Sequence, residues 1–272
     1  MISREELNEI CKKYGADKVG VAPIERFENI KEEGNPKYIL PSVKSVLVLM
    51  HSIPRGWTRG AESHSDWATA YTRGGFLDSS LTIEITYNIC TQLENRGYDV
   101  VPLYNYPLEM RSQGVQVKEG APAPDVVPDG YLAAHLAGLG QFGKCGIFLT
   151  PEFGTRQQFT MILTNAEFEG DELLEKSICD GCGECAKKCY ANAVSLNETE
   201  KLDREGFDVE IYKRDKAFCK NCKSGVLPNS FWASAEGDRT LASCGRACMA
   251  HLEDKGLLKY KFKNKYRGEN DA

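Results

Sequence analysis

The spacing of the cysteines constrains this chain more than any other feature. Cys179, Cys182, Cys185 and Cys189 follow one another as C-x2-C-x2-C-x3-C, and Cys219-x2-Cys222 and Cys244-x3-Cys248 come later. Eight of the eleven cysteines in the 272 residues lie in this stretch. A fold that contains it must gather distant thiols on a metal or tie them as disulfides. The N-terminal MISREELNEICKK is charged and amphipathic and has no apolar run of the secretory kind. The expectation is therefore a cytoplasmic chain, in which metal explains the thiols better than a disulfide framework does.

Three thiolates two residues apart wrap one face of an iron–sulfur cubane, and the intervening amides can point at its sulfurs. The fourth thiolate starts the next helical turn, faces away and reaches a second cluster. This is the two-cluster ferredoxin spacing. It assigns Cys179, Cys182, Cys185 and the distal Cys248 to one [4Fe–4S] cluster, and Cys189, Cys219, Cys222 and Cys244 to another. Structural zinc is the competing use of eight thiolates, but zinc sites draw on separated CxxC pairs rather than an overlapping triplet. Gly181 and Gly183 suit a tight wrap. Tyr190 and Met249 depart from the ferredoxin pattern, which commonly has proline after the last cysteine.

Upstream of the cysteines the pattern is that of an α/β or α+β body over 1–170. Ser3 and Glu6 read as a capping box for a helix that stops before Gly15. Strands are expected over Lys18–Ala22, Val43–Met50, Tyr98–Leu103 and Arg156–Leu163, and helices over Leu77–Arg96 and Tyr131–Leu139. A long polar stretch from His51 to Phe76 lacks a period, and long loops often carry function. The prolines at 122, 124 and 128 demand a loop. The expected division is the body over 1–170, a double-cluster domain over 171–252 and a basic tail over 253–272.

Charge and hydropathy close off other classes. The 34 Lys and Arg against 39 Asp and Glu leave a net charge of −5, which argues against a nucleic-acid coat. The longest aliphatic run, Val46 to Met50, is too short to cross a bilayer. The four histidines form no HExxH pattern. His51 and His64 read as surface residues and His135 as a packed one. Cys11 and Cys90 read as buried small hydrophobes, whereas Cys145 is either packed or reactive. The lysines from Lys255 onward read as a solvated terminus, or as a docking patch for an acidic electron donor or RNA.

Between body and cysteines runs AGLGQFGKCGIFLTPEFG, from Ala137 to Gly154. Its glycines let backbone approach a flat or phosphate-bearing ligand. The spacing is neither a Rossmann fingerprint nor a Walker A loop. With QQFTMILTN downstream and the CxxCxxCxxxC module, this segment resembles the corrinoid-dependent iron–sulfur reductases, a group that includes epoxyqueuosine reductases and reductive dehalogenases. YTRGGF and NRGYDV are weaker echoes. The resemblance covers about 40–250. It implies an α+β fold, with a nitroreductase-like, cobalamin-binding core followed by a ferredoxin-like double [4Fe–4S] module. It implies base-off cobalamin beside Gly138, Leu139, Gly140, Phe142, Gly143 and Lys144. It further implies a proton donor: Asp125 beside Pro124 in the epoxyqueuosine pattern, or Tyr71 with Arg73, or Tyr104, in the dehalogenase pattern. Electrons would come from a low-potential donor such as ferredoxin or flavodoxin, pass through the clusters to the corrinoid, and reach a small-molecule or corrinoid substrate. tRNA is the less favoured substrate, and no membrane partner is expected. The alternative is a non-catalytic electron-transfer protein that reduces a corrinoid protein or another enzyme. The sequence has no twin-arginine export signal, in keeping with the cytoplasmic expectation.

Overall fold

The structure is a computed structural model that describes residues 2–69, 80–104, 114–224, 226 and 239–267. Helix α1 (Arg4–Tyr14) starts and stops where its sequence says. Ser3 Oγ accepts from the Glu6 N–H at 3.1 Å, and Gly15 ends the helix with φ 104°. Strands β1 (Lys18–Pro23) and β2 (Ser45–Ser52) follow, then a short helix α2 (Arg59–Glu62). Helix α3 (Thr82–Glu94), strand β3 (Val100–Leu103) and helix α4 (Gly130–Leu136) complete the first half. The glycine segment forms a small pair, β4 (Gln141–Phe142) with β5 (Phe148–Leu149), and leads into β6 (Gln157–Thr164).

One four-stranded sheet, ordered β1-β2-β6-β3 with every pair antiparallel, organises the body. Register pairs such as Val48 with Met161 and Leu49 with Thr160 set two apolar faces back to back. Val46, Val48, Met50, Phe159 and Met161 pack under α4 and the glycine segment. Leu47, Leu49 and Ile162 pack under α1 and α3, against Leu7, Ile10, Ile85 and Ile89. Each such side chain, fully buried, contributes about 1.5–3 kcal/mol. The mixed helix-and-sheet class expected from the sequence is what forms.

The cysteine region adds α5 (Glu184–Lys187), a hairpin of β7 (Val194–Arg204) and β8 (Phe207–Arg214), α6 (Lys216–Lys220) and α7 (Ser243–Asp254). The hairpin is absent from the sequence expectation because both its faces are largely polar. Its legible signal is the Glu205-Gly206 turn between alternating runs.

Two expectations are corrected. The basic tail is no solvated terminus along its described length: Leu258 and Tyr266 are each 1% exposed. The Lys259 N–H donates to the Pro151 carbonyl at 2.8 Å, and Tyr266 Oη to the Thr58 carbonyl at 3.1 Å. Apolar anchors and backbone bonds hold the strap while its lysines stay in water. His51 is also no surface residue. Its ring lies buried in the sheet with Nε2 3.1 Å from Thr160 Oγ1, and burial lowers its pKa to about 4.

Candidate metal centre

The local sequence builds the first wrap. Gly181 and Gly183 both take left-handed backbone, at φ 75° and 76°, and turn the chain between its thiols. Asp180 Oδ1 accepts from the Cys182 N–H at 3.2 Å, and Asp180 Oδ2 sits 2.7 Å from His251 Nε2 on α7. That contact, with α5 packed on α7, draws the distal helix over the loop. One cavity is lined by Cys179, Cys182, Cys185 and Cys248 together. These are the four thiols the spacing assigned to the first cluster, although Cys248 is remote in sequence.

The second set gathers around Cys244, one turn of α7 before Cys248. Electrostatic influence from Cys189 and Cys222 reaches Cys219, and Cys244 feels Cys189 and Cys219. All eleven cysteines are free of disulfides. Burial pushes the Cys244 thiol up to about 12 and raises Cys248 well above its ordinary value. Buried thiols of this kind become thiolates only beside strong positive charge, which a metal centre supplies. Backbone amides already point at sulfur: the Lys144 N–H lies 3.5 Å from Cys179 Sγ and the Ala193 N–H 3.2 Å from Cys189 Sγ. This donor set fits two sulfur-ligated clusters.

Cys145 is the sulfur that sequence reasoning left undecided. It is 2% exposed and packs in one apolar cluster with Cys185 and Cys244. A hydrogen bond with Cys185, and then the positive charges of Arg239 and Arg214, draw its thiol down to about 6 against the effect of burial. Cys185 is pushed up in turn. Cys11 and Cys90 are the inert, buried thiols expected, each pushed up to about 12 by burial.

The glycine segment is less open than its composition suggests. A side chain at Gly138 would meet the Glu172 carbonyl at 2.2 Å, and one at Gly140 the Leu149 carbonyl at 2.3 Å. Leu139 between them is 1% exposed in the core under the sheet. Phe142 packs edge-on against Phe148, with the Arg204 guanidinium 5.1 Å from its ring centre. At Gly138 and Gly140 the side that a Cβ would occupy is filled by the chain's own carbonyls, so the missing side chains serve close backbone packing there. Gly143 and Lys144 instead line the cysteine cavity, and Lys144 Nζ pairs with Glu210 at 2.9 Å.

Of the residues expected to donate protons, Tyr71 and Arg73 lie outside the described residues. Tyr104 directly follows edge strand β3, and Asp125 sits half-buried in the proline-rich loop. Neither lines the cysteine cavity. Asp129, further along the same loop, has a structural task. Its Oδ1 caps α4, and its Oδ2 holds Arg204 at 3.0 Å.

No protein-family model matches the chain. Among curated proteins, an epoxyqueuosine reductase of Bacillus subtilis (strain 168) is 24% identical over 217 residues, covering 70% of this chain and 51% of the relative. A tetrachloroethene reductive dehalogenase of Desulfitobacterium hafniense is 25% identical over 243 residues, covering 74% of this chain and 40% of the relative. The chain thus spans about half the length of the relatives it matches, or less. Among solved structures, a catabolic reductive dehalogenase in complex with 3-bromo-4-hydroxybenzoic acid superposes with a TM-score of 0.57 at 19% identity, covering 94% of this chain and 34% of that one. A selenomethionine-labelled epoxyqueuosine reductase superposes with a TM-score of 0.54 at 18% identity, covering 97% of this chain and 69% of that one. The fold is shared with both kinds of enzyme.

Proposed function

We propose, on the premise that this chain belongs with the epoxyqueuosine reductases and reductive dehalogenases among its relatives, that it is an iron–sulfur reductase. Cys179, Cys182, Cys185 and Cys248 would hold one [4Fe–4S] cluster and Cys189, Cys219, Cys222 and Cys244 another, and the pair would supply single-electron transfer from an external low-potential donor. The observation that carries this reading is the meeting of Cys179, Cys182 and Cys185 with the remote Cys248 on one cavity. In the reading, α7 is the shared post: Cys248 serves the first cluster and Cys244 the second, which sets the two clusters side by side.

The chain's own groups define what the site does. The amides of Lys144 and Ala193 donate toward sulfur and stabilise negative charge there. Arg239 adds positive charge near Cys219 and Cys244, and Arg214 near Cys219, which would favour the reduced state of a cluster held there. Gly143 and Lys144 bring the body against the cavity that would hold the first cluster.

The acceptor in this reading is a corrinoid, the group implied by the resemblance. When bound, it supplies a low-valent cobalt that attacks a substrate or hands it an electron. Gly138, Leu139, Gly140, Phe142, Gly143 and Lys144 are the residues proposed to lie beside it. Tyr71 with Arg73, Tyr104 and Asp125 are the proposed proton donors.

The test is anaerobic purification after supplying hydroxocobalamin, followed by iron, sulfide, zinc and cobalt analysis. The reading expects about eight iron and eight sulfide per chain, with one equivalent of cobalt. Iron and sulfide without cobalt would move the chain to the electron-transfer alternative. Zinc without sulfide would overturn both.

A further inference from the structure

The cavity that gathers the first four thiols has a fifth sulfur on its wall. Cys145 lines it together with Cys179, Cys182, Cys185 and Cys248. The spacing already supplies four thiolates to each cubane, the full protein complement of a [4Fe–4S] cluster. Cys145 is a sulfur beyond that complement. It comes from the glycine segment of the body, not from the spaced cysteines.

Backbone bonds fix its place. Cys145 sits in the turn between β4 and β5. The Gly146 N–H donates to the Gly143 carbonyl and the Gly143 N–H to the Ile147 carbonyl, each at 2.8 Å, which closes the turn. From outside, the Tyr212 N–H of β8 donates to the Lys144 carbonyl at 2.6 Å, and Arg239 Nη2 to the Cys145 carbonyl at 3.0 Å. The Lys144 N–H of the same turn points at Cys179 Sγ. Cys145 itself is 2% exposed, packs with Cys185 and Cys244, and shares a hydrogen bond with Cys185. One held turn thus offers an amide to one ligand sulfur and a thiol to another.

A hydrogen bond between two sulfurs needs one proton. A thiol that coordinates a metal gives its proton up, so in a loaded site Cys185 has none and Cys145 is the donor. Hydrogen bonds to the sulfurs of a cluster stabilise the negative charge gained on reduction, and a buried setting strengthens them. We propose that Cys145 donates its S–H to the Cys185 ligand sulfur and thereby raises the reduction potential of the first cluster. Cys145 is then a positioning residue, not a ligand. The inference rests on the iron–sulfur reading and deepens it.

A redox titration of the anaerobically purified full chain, followed by low-temperature electron paramagnetic resonance, tests it. The first cluster's signal is the one that Cys248→Ala erases. Cys145→Ala and Cys145→Val remove the donor, and either suffices where the other does not assemble; Cys145→Ser keeps a donor. The non-donor variants should retain about eight irons. Their first-cluster reduction equilibrium should fall about tenfold, a shift of about 59 mV to lower potential for one electron. Cys145→Ser should stay within about threefold of the parent. Packing alone would not sort the variants by whether they carry a proton to donate. An unchanged or raised potential in a non-donor variant, or a shift in Cys145→Ser as large as in Cys145→Ala, would overturn the inference and leave the reductase reading standing. Iron falling to about four in both non-donor variants would also overturn it, by making Cys145 a ligand. A parent chain without iron and sulfide would instead fail the reductase reading, and the inference with it.

Discussion

Strands β2 and β6 bury every residue from Ser45 to His51 and from Gln157 to Thr164. The region that carries the spaced cysteines is built otherwise. Its helices α5 and α6 have four and five residues, and its hairpin is exposed along much of both strands. Where that region has an interior, thiols supply much of it: Cys145, Cys185 and Cys244 sit in one cluster with Ile147, Leu149, Leu252 and Leu258. Helices this short are not stable by themselves, and thiols bury little apolar area. The sheet body thus draws its cohesion from apolar burial, whereas under the proposed function the cysteine region depends on the metal its thiols would hold. The comparison teaches that one chain can hold a self-sufficient scaffold and a ligand-built module whose stabilities respond to different variables.

The largest expected effect separates the two by chemistry. Stripping the metal with a chelator and oxidant should leave the far-ultraviolet signal of the sheet largely intact while the cysteine region becomes open to proteolysis after 179. Simultaneous loss of both regions would erase the distinction. The converse perturbation is Ile162→Ala, at a position fully buried between β6 and the α1–α3 face. It should lower the urea stability of the body by about 2–5 kcal/mol. Iron content at low denaturant should stay unchanged, and a drop in bound iron would mean that the regions are more tightly coupled than their packing suggests.

A smaller effect comes from His51. Its pKa is lowered from 6.5 to about 4 by burial, so the unfolded state binds the extra proton between those values. Stability should therefore be full above pH 6.5 and fall on acidification toward pH 4, with a loss of about 2 kcal/mol at pH 5. His51→Gln, which keeps a polar partner for Thr160 without a titrating ring, should flatten that acid limb. An unchanged pH profile in the variant would remove His51 from the account of the body.

Sequence legibility divides along the same line. The ends of α1 were readable because Ser3 and Gly15 act within one turn of the helix. Strands β2 and β6 were readable because their apolar runs are continuous. The burial of His51 was not, since Thr160 and the helix carrying Thr86 reach it from distant parts of the chain. The docking of Tyr266 against Thr58 is invisible for the same reason. In the candidate site, the four thiols that the spacing grouped first, remote Cys248 included, line one cavity. Glycine composition does not by itself say what a missing side chain admits, since it serves equally a ligand or a neighbouring carbonyl, as at Gly138 and Gly140.

The crosswise sharing of thiols is tested most directly by two single substitutions, Cys248→Ala and Cys189→Ala, each prepared without air. Iron analysis and low-temperature electron paramagnetic resonance of the reduced proteins would be compared with the parent. Each substitution should leave about four of about eight irons, and the two should erase different cluster signals. Retention of both signals in Cys248→Ala, or loss of the same signal in both variants, would contradict the assignment.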